Sequence, residues 1–195
     1  MSEQPTIVAI SGSTRKESFN TKLLKIVARG AEAAGAKVTI VDLNDYPMPL
    51  FNEDLEKAEG LPKAAADLKA LMAQHRGLII ASPEYNSSIS PLLKNTIDWV
   101  SRKVAGEQPM MAYRGKIASL VAASPGAMGG LRGLVHVRAI LQNIGVTVLP
   151  GQFAVSQAGQ AFDESGNLKD AATQTKAENI GKELAEFLLR LAPAN

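Results

Sequence analysis

The chain has 195 residues, enough for one domain with its own hydrophobic core, and it contains no cysteine. Disulfides, thiolate nucleophiles and cysteine-ligated metal centres are therefore excluded. The net charge is only +2 and no block of like charge occurs, so no nucleic-acid or membrane partner is indicated. The first ten residues lack the features of a signal peptide or a membrane span. We therefore expect a single cytoplasmic domain over residues 1–195.

Short runs rich in β-branched residues alternate with amphipathic stretches along the chain. We predict five strands, at residues 6–10, 37–41, 77–81, 116–121 and 146–149. Five helices are predicted at residues 20–34, 63–75, 91–104, 131–143 and 170–192. This order predicts an α/β fold: a doubly wound, five-stranded parallel sheet with helices on both faces. A ligand of such a fold binds at the carboxyl ends of the strands.

The polar segment 11–21, between the first strand and the first helix, is the most informative part of the sequence. It offers the hydroxyls of Ser13, Thr14, Ser18 and Thr21, the amide of Asn20 and the guanidinium of Arg15. A strand, a short polar loop and a helix in this order direct backbone N–H groups at an anion. Many donors and one guanidinium suit a phosphate monoester. The segment therefore predicts a binding site for a phosphorylated small molecule at the end of the first strand.

Two further loops fall on the same predicted edge of the sheet. The third-strand loop contains Pro83, Glu84, Tyr85 and Asn86, and the fourth-strand loop contains Ser124, Gly126, Gly129 and Gly130. The tyrosine offers a face for stacking on a planar ring, and the glycines permit close backbone approach. A phosphate site beside a planar-ring site indicates a mononucleotide, and flavin mononucleotide (FMN) fits well.

These motifs resemble those of the NAD(P)H-dependent FMN reductase family, the flavodoxin-like group that includes bacterial quinone, azo-dye and chromate reductases. The resemblance covers roughly residues 7–150 and rests on four motifs: Gly12-Ser13-x-Arg15-x-x-Ser18-x-Asn20, Pro83-Glu84-Tyr85-Asn86, Leu93-Lys94-Asn95-Thr96-Ile97-Asp98-Trp99 and the 124–130 turn. It implies that the FMN phosphate is held by Ser13, Arg15, Ser18, Phe19, Asn20 and Thr21. It implies that the ring is held by Pro83, Glu84, Tyr85 and Asn86, with Ser124 and Gly126 from the next loop.

The resemblance also implies an activity. FMN would take hydride from NADPH or NADH and pass electrons to a quinone, an azo compound, chromate or free flavin in a ping-pong cycle. The flavin would carry the chemistry, so no catalytic side chain is expected, and the two unclustered histidines indicate no metal site. Relatives are commonly homodimers or homotetramers with FMN near a subunit interface. The acceptor, the choice between NADH and NADPH, and the choice between dimer and tetramer stay open.

Two alternatives come from other classes of protein. A flavodoxin-type electron carrier would bind FMN without oxidising NAD(P)H, but such carriers are strongly acidic and have a Thr/Ser-x-Thr-Gly-x-Thr loop that this chain lacks. A Rossmann dehydrogenase would use Asp42, at the end of strand two, for a ribose. However, the first loop has only Gly12 in place of the three-glycine fingerprint.

The residues around the third-strand loop have structural interpretations as well. We predict that Ile97 and Trp99 lie in the core and that Asn95 and Asp98 cap or pair locally. Segment 47–51 is either a substrate-facing loop or a stiff surface connection. Relatives often have a glycine-bearing step before the Leu-Lys-Asn helix, whereas this chain has Ser90-Pro91-Leu92. Because Leu92 is bulkier than glycine, this departure bears on how the Leu-Lys-Asn helix begins and on the shape of any substrate surface beside it.

Overall fold

A computed structural model describes residues 4–191 of the chain. Its strands are β1 (Thr6–Ser11), β2 (Lys37–Val41), β3 (Gly77–Ala81), β4 (Glu84–Tyr85), β5 (Ser88–Ile89), β6 (Ile117–Ala123) and β7 (Thr147–Val155). Its helices are α1 (Phe19–Ala33), α2 (Glu53–Glu59), α3 (Lys63–Ala73), α4 (Pro91–Val100), α5 (Leu131–Asn143), α6 (Ala158–Ala161) and α7 (Ala171–Arg190), with a 3₁₀ turn at Leu43–Asp45. None of these helices is both long enough and apolar enough to cross a membrane.

Five strands form one parallel sheet in the order β2-β1-β3-β6-β7, and β4 and β5 form a separate antiparallel pair. This is the flavodoxin-like order, and it confirms the predicted doubly wound fold. Every residue of β3 and β6 is buried, as expected of central strands that are covered on both faces. The carboxyl ends of β1, β3 and β6 therefore meet at one edge.

Alternate residues of each strand point into two separate cores. Ile7 and Ala9 of β1 pack beneath α1 and α7, whereas Val8 and Ile10 pack beneath α3, α4 and α5. This period of two is what strand geometry requires when both faces are covered. The predicted amphipathic helices supply the matching apolar stripes, for example Ile180, Leu184 and Leu188 of α7.

The structure corrects several predicted boundaries. The last strand continues to Val155 rather than ending at 149, because a register irregularity opposite β6 lets the chain pass Pro150 and Gly151 without leaving the sheet. Helix α4 ends at Val100 rather than 104, and the turns that follow it have no helical pattern. The predicted end of the final helix, residue 192, lies outside the described residues.

The short elements α2, α6 and the β4–β5 pair were not predicted. Helix α2 has no buried residue, so it leaves no hydrophobic period in the sequence. It is formed by local chemistry instead: the Asn52 side chain accepts hydrogen bonds from the N–H groups of Asp54 and Leu55. Its first turn also carries acidic side chains that favour the helix N-terminus.

Candidate functional site

The first loop leaves β1 at a close contact with α4 and with the start of the third-strand loop. The hydroxyl of Ser90 donates to the carbonyl of Gly12 at 2.6 Å and accepts from the Leu93 N–H at 3.2 Å. A Cβ at Gly12 would lie 3.0 Å from both Leu93 Cβ and Pro83 Cδ. Glycine is therefore what allows the loops to approach this closely. Ser90 caps α4 with Pro91 at its first position, so the helix entry is regular.

The start of α1 is shaped by its own hydroxyl groups. The buried Ser18 Oγ accepts from the N–H of Thr21 at 3.2 Å, and the Thr21 hydroxyl lies 3.1 Å from that of Ser11. The ring of Phe19 stacks on Phe162, with centroids 5.9 Å apart. Since its ring is used in this stack, we predict that Phe19 contacts a ligand through its N–H. The first N–H groups of a helix have no intrahelical acceptor, and they favour an anion.

Asn20 ties this loop to the end of β6. Its side-chain amide donates to the carbonyl of Ala123 at 2.9 Å, and its oxygen accepts the Ala123 N–H at 3.0 Å. The side chain is buried and both of its polar groups are used. The group that Asn20 leaves open to a ligand is therefore its backbone N–H, and the side chain fixes two of the three loops to each other.

Arg15 and Ser13 stand at the open side of the loop. The Ser13 hydroxyl accepts the N–H of Arg15 at 3.3 Å, and the Arg15 side chain is exposed. Within residues 4–191, no ion pair includes Arg15. Its full charge therefore remains available to a ligand. A narrow cleft of about 60 Å³ joins the three loops and is lined by Ser13, Arg15, Ser18, Phe19, Asn20, Pro83, Glu84, Tyr85, Ala123, Ser124 and Pro125.

The third-strand loop forms a tight hairpin in which Tyr85 is prominent. Glu84 pairs with Ile89 and Tyr85 with Ser88. Asn86 and Ser87 between them both have positive φ, 50° and 67°, as a two-residue type I′ turn requires. Asn86 therefore sets the turn, and Tyr85, 48% exposed, offers its ring to the cleft.

The carboxylate of Glu84 anchors this hairpin to α5. It accepts from Arg132 Nε at 2.9 Å, from Arg132 Nη2 at 2.5 Å and from the Gly133 N–H at 3.2 Å. Burial alone would raise the pKa of Glu84, but these hydrogen bonds and the guanidinium charge outweigh it and hold the pKa below its usual range. Sequence reasoning missed Arg132, which lies 48 residues away and has no local signal.

Replacing Glu84 with glutamine is expected to lower the free energy of unfolding at pH 7 by about 1.5–3 kcal/mol, the range for hydrogen bonds to a charged group. Since the folded pKa lies below the ordinary 4.5, the wild-type contribution is complete above that value and is lost as the pH falls through the folded pKa. Urea unfolding of the wild type and of Glu84→Gln at pH 7 and pH 3 measures the difference in the free energy of unfolding and its dependence on pH. A difference between the two proteins that is as large at pH 3 as at pH 7 would contradict this assignment.

The shape of the fourth-strand loop depends on a hydrogen bond within the loop and on the backbone conformation of its glycines. The Ser124 hydroxyl accepts the Gly126 N–H at 3.2 Å, and a Cβ at Gly126 would meet only ordinary contacts. Glycine is required instead at Gly129 and Gly130, which have φ of 63° and 95°. A Cβ at Gly130 would lie 2.7 Å from that of Ala122. These two glycines let the loop turn tightly into α5.

The structure confirms that Ile97 and Trp99 lie in the core and that Asp98 pairs locally, with Lys94 on the same helix. The prediction of local pairing is wrong for Asn95, whose partners are 44 and 46 residues away. Trp99 is fully buried, and its indole N–H donates to the Pro49 carbonyl at 2.7 Å. Asn95 donates to the same carbonyl and accepts the N–H of Phe51, so segment 47–51 is a pinned connection. The carboxylate of Asp42 accepts the N–H of Asn44 and caps the 3₁₀ turn.

Comparison with known proteins agrees with this architecture. The family model described as NADPH-dependent FMN reductase matches residues 5–160. The chain belongs to this family. It is 35% identical, over 97% of its length and 92% of the relative, to a probable NADPH:quinone oxidoreductase of Oryza sativa subsp. japonica. It is 36% identical, over 87% of its length and 88% of the relative, to an NAD(P)H-dependent FMN reductase of Pseudomonas aeruginosa.

A solved structure shows the same fold. FerB, a flavoenzyme NAD(P)H:(acceptor) oxidoreductase from Paracoccus denitrificans, superposes with a TM-score of 0.78 at 24% identity, covering 97% of this chain and 100% of that one. The family match confirms the expected class of enzyme, an NAD(P)H-dependent oxidoreductase that uses FMN. The roles of the individual site residues remain predictions.

Proposed function

We propose that this protein uses FMN, held between the three loops, to transfer electrons from NADPH or NADH to a quinone. The observation that carries the proposal is the way the three loops are fastened together at one sheet edge. Ser90 joins the first loop to α4, Asn20 joins it to β6, and Glu84 joins the hairpin to α5. A rigid edge of this kind suits a permanently held cofactor.

The donors of the first loop fit the phosphate end of FMN. The N–H groups of Phe19 and Asn20, the hydroxyl of Ser13 and the guanidinium of Arg15 would hold the dianion, while Ser18 and Thr21 keep the helix start in shape. Because Arg15 has no ion-pair partner among the described residues, no existing pair must be broken when a phosphate enters.

The hairpin and the fourth-strand loop fit the ring end. Pro83, Glu84, Tyr85 and Asn86 would lie along the ring, with Ser124 and Gly126 from the opposite side. FMN, when bound, supplies the redox chemistry by accepting two electrons from the nicotinamide and giving them to an acceptor. The residues of the chain bind and orient the ring, and backbone N–H groups near it stabilise negative charge. One face of the ring would stay open, so that donor and acceptor could bind there in turn.

The visible spectrum of the purified protein tests the proposal. We expect a flavin band near about 450 nm that bleaches with NADPH or NADH under anaerobic conditions and returns on addition of a quinone. An azo dye, chromate and free FMN serve as competing acceptors. A band that stays oxidised with both donors would indicate an electron carrier. No band, even after added FMN, would contradict the flavin site and favour a dinucleotide enzyme.

We also propose that the protein is at least a homodimer, working in the cytoplasm where its nicotinamide donor is supplied. Four apolar side chains on the hairpin, the fourth-strand loop and the first turns of α5 are exposed by 37% to 58%: Tyr85, Met128, Leu131 and Val135. Leu131 and Val135 lie one turn apart on α5, so they share one face of that helix. A clustered apolar surface of this kind is typical of an interface. A homotetramer would need a second surface.

Val135→Glu is expected to convert the dimer into a monomer, because it places a charge in the apolar interface. Light scattering after size-exclusion chromatography measures the mass. Leu50→Glu is the matched control, since Leu50 is 80% exposed on the pinned 47–51 connection. A wild-type monomer, or a dimer that survives Val135→Glu, would contradict this interface.

A further inference from the structure

A cavity of about 290 Å³ lies at the amino-terminal edge of the sheet, opposite the candidate flavin site. It opens where β3 and β6 begin, and its charged lining consists of Arg76, Arg114 and Lys116. Its apolar wall is formed by Ala73, Met111, Ile117, Leu188 and Leu191. Among the described residues, no acidic side chain lines it. We propose that this cavity binds a small organic phosphate, with the phosphate on the three cations and the apolar part on the wall.

Lys116 is the strongest reason for this proposal. The residue is only 6% exposed, and its ammonium donates to the backbone carbonyl of His75. A carbonyl supplies no full negative charge, whereas buried cations are normally paired with an anion. Burial lowers the pKa of Lys116 to about 8, so the group is still mainly charged at pH 7. The ring of His75 is directed elsewhere, to Thr39 and to the carbonyl of Leu71.

Capping of helix ends accounts for only part of the positive charge. His75 follows the end of α3, and Arg76 Nη2 donates at 3.3 Å to the carbonyl of Leu191, which follows α7. Each helix end carries about half a negative charge. Arg114 takes part in no ion pair within residues 4–191. Counted over residues 4–191, about two positive charges of the cavity are therefore left, which matches the charge of a phosphate monoester.

Isothermal titration with phenyl phosphate tests the site, using protein saturated with FMN so that the first loop is filled. We expect saturable binding of one phenyl phosphate per chain and none of phenol, which has the ring without the charge. Arg114→Gln should weaken binding at least about tenfold, the loss of one charge-assisted hydrogen bond. Lys116→Met should weaken it further. Arg114 is exposed, and its side chain makes no hydrogen bond to the other described residues. Arg114→Gln should therefore fold normally and test the site even if Lys116→Met folds poorly.

Two controls separate this site from other basic surfaces. Lys182→Met removes an exposed cation from the middle of α7, and Lys63→Met removes an exposed cation from the start of α3. Both should bind phenyl phosphate as the wild type does. The proposal is overturned by absence of saturable binding, by Arg114→Gln binding as tightly as the wild type, or by equal losses in all four variants. Because binding is read without any turnover, failure of the proposed reductase activity would leave this result unaffected.

Discussion

Gly181→Ala is expected to lower the free energy of unfolding by about 3 kcal/mol, although alanine is the better helix former by about 1 kcal/mol. A Cβ at position 181 would lie 1.9 Å from the carbonyl oxygen of Val27 and 2.9 Å from the N–H nitrogen of Ala31. Both atoms belong to the backbone of α1, so no rotamer change relieves the overlap. Gly30 has the reciprocal position on α1, since a Cβ added there would lie 2.0 Å from the carbonyl oxygen of Glu178. Only separation of α1 from α7 makes room.

Urea unfolding followed by circular dichroism measures this effect. Gly159→Ala is the matched control, because the same substitution in α6 would meet no atom within 4 Å and should leave the free energy of unfolding unchanged or raise it by up to about 1 kcal/mol. A Gly181→Ala protein as stable as the wild type would show that α1 and α7 do not cross at this distance. Since α1 begins at the candidate phosphate loop, we also expect this variant to bind FMN more weakly.

The sheet was predictable from sequence because its central strands are covered on both faces. β3 is buried at every residue, so its apolar run ends where the strand ends, and the prediction matched its bounds. The edge strand β7 was harder. Pro150 and Gly151 mark the end of a strand in most sequences, and here the strand passes them through a local irregularity that only its pairing with β6 reveals.

The candidate site was predictable only as a set of loops. The rule that ligands bind at the carboxyl ends of parallel strands selected three segments, and the structure brings residues of all three together around one cleft. It could not show that the Asn20 side chain pairs with Ala123, 103 residues away, or that Glu84 pairs with Arg132. Such contacts depend on the assembled fold and leave no periodic signal. Asn20 was therefore predicted as a ligand donor, whereas its side chain fastens two loops together.

Arg15→Ala is expected to raise the dissociation constant for FMN by about 10- to 150-fold. The guanidinium is the one cationic side chain that lines the narrow cleft between the three loops, and it is proposed to meet the phosphate dianion. Loss of a hydrogen bond between charged groups costs about 1.5–3 kcal/mol, which gives that range. Titration of the apoprotein with FMN, followed by flavin fluorescence, measures the constant. The effect should shrink as salt is added, because Arg15 is exposed and its charge is screened.

Lys16→Ala tests whether FMN affinity depends on where a positive charge lies in the first loop or only on its being there. Lys16 is the next residue, is also exposed and carries the same charge, but it does not line the narrow cleft. Its loss should change FMN affinity by less than about threefold, the scale of a screened surface charge. Equal losses in both variants would mean that the loop attracts FMN by net charge alone. An Arg15→Ala protein that keeps its FMN and loses only turnover would instead assign the guanidinium to the nicotinamide donor, because that donor also carries phosphates.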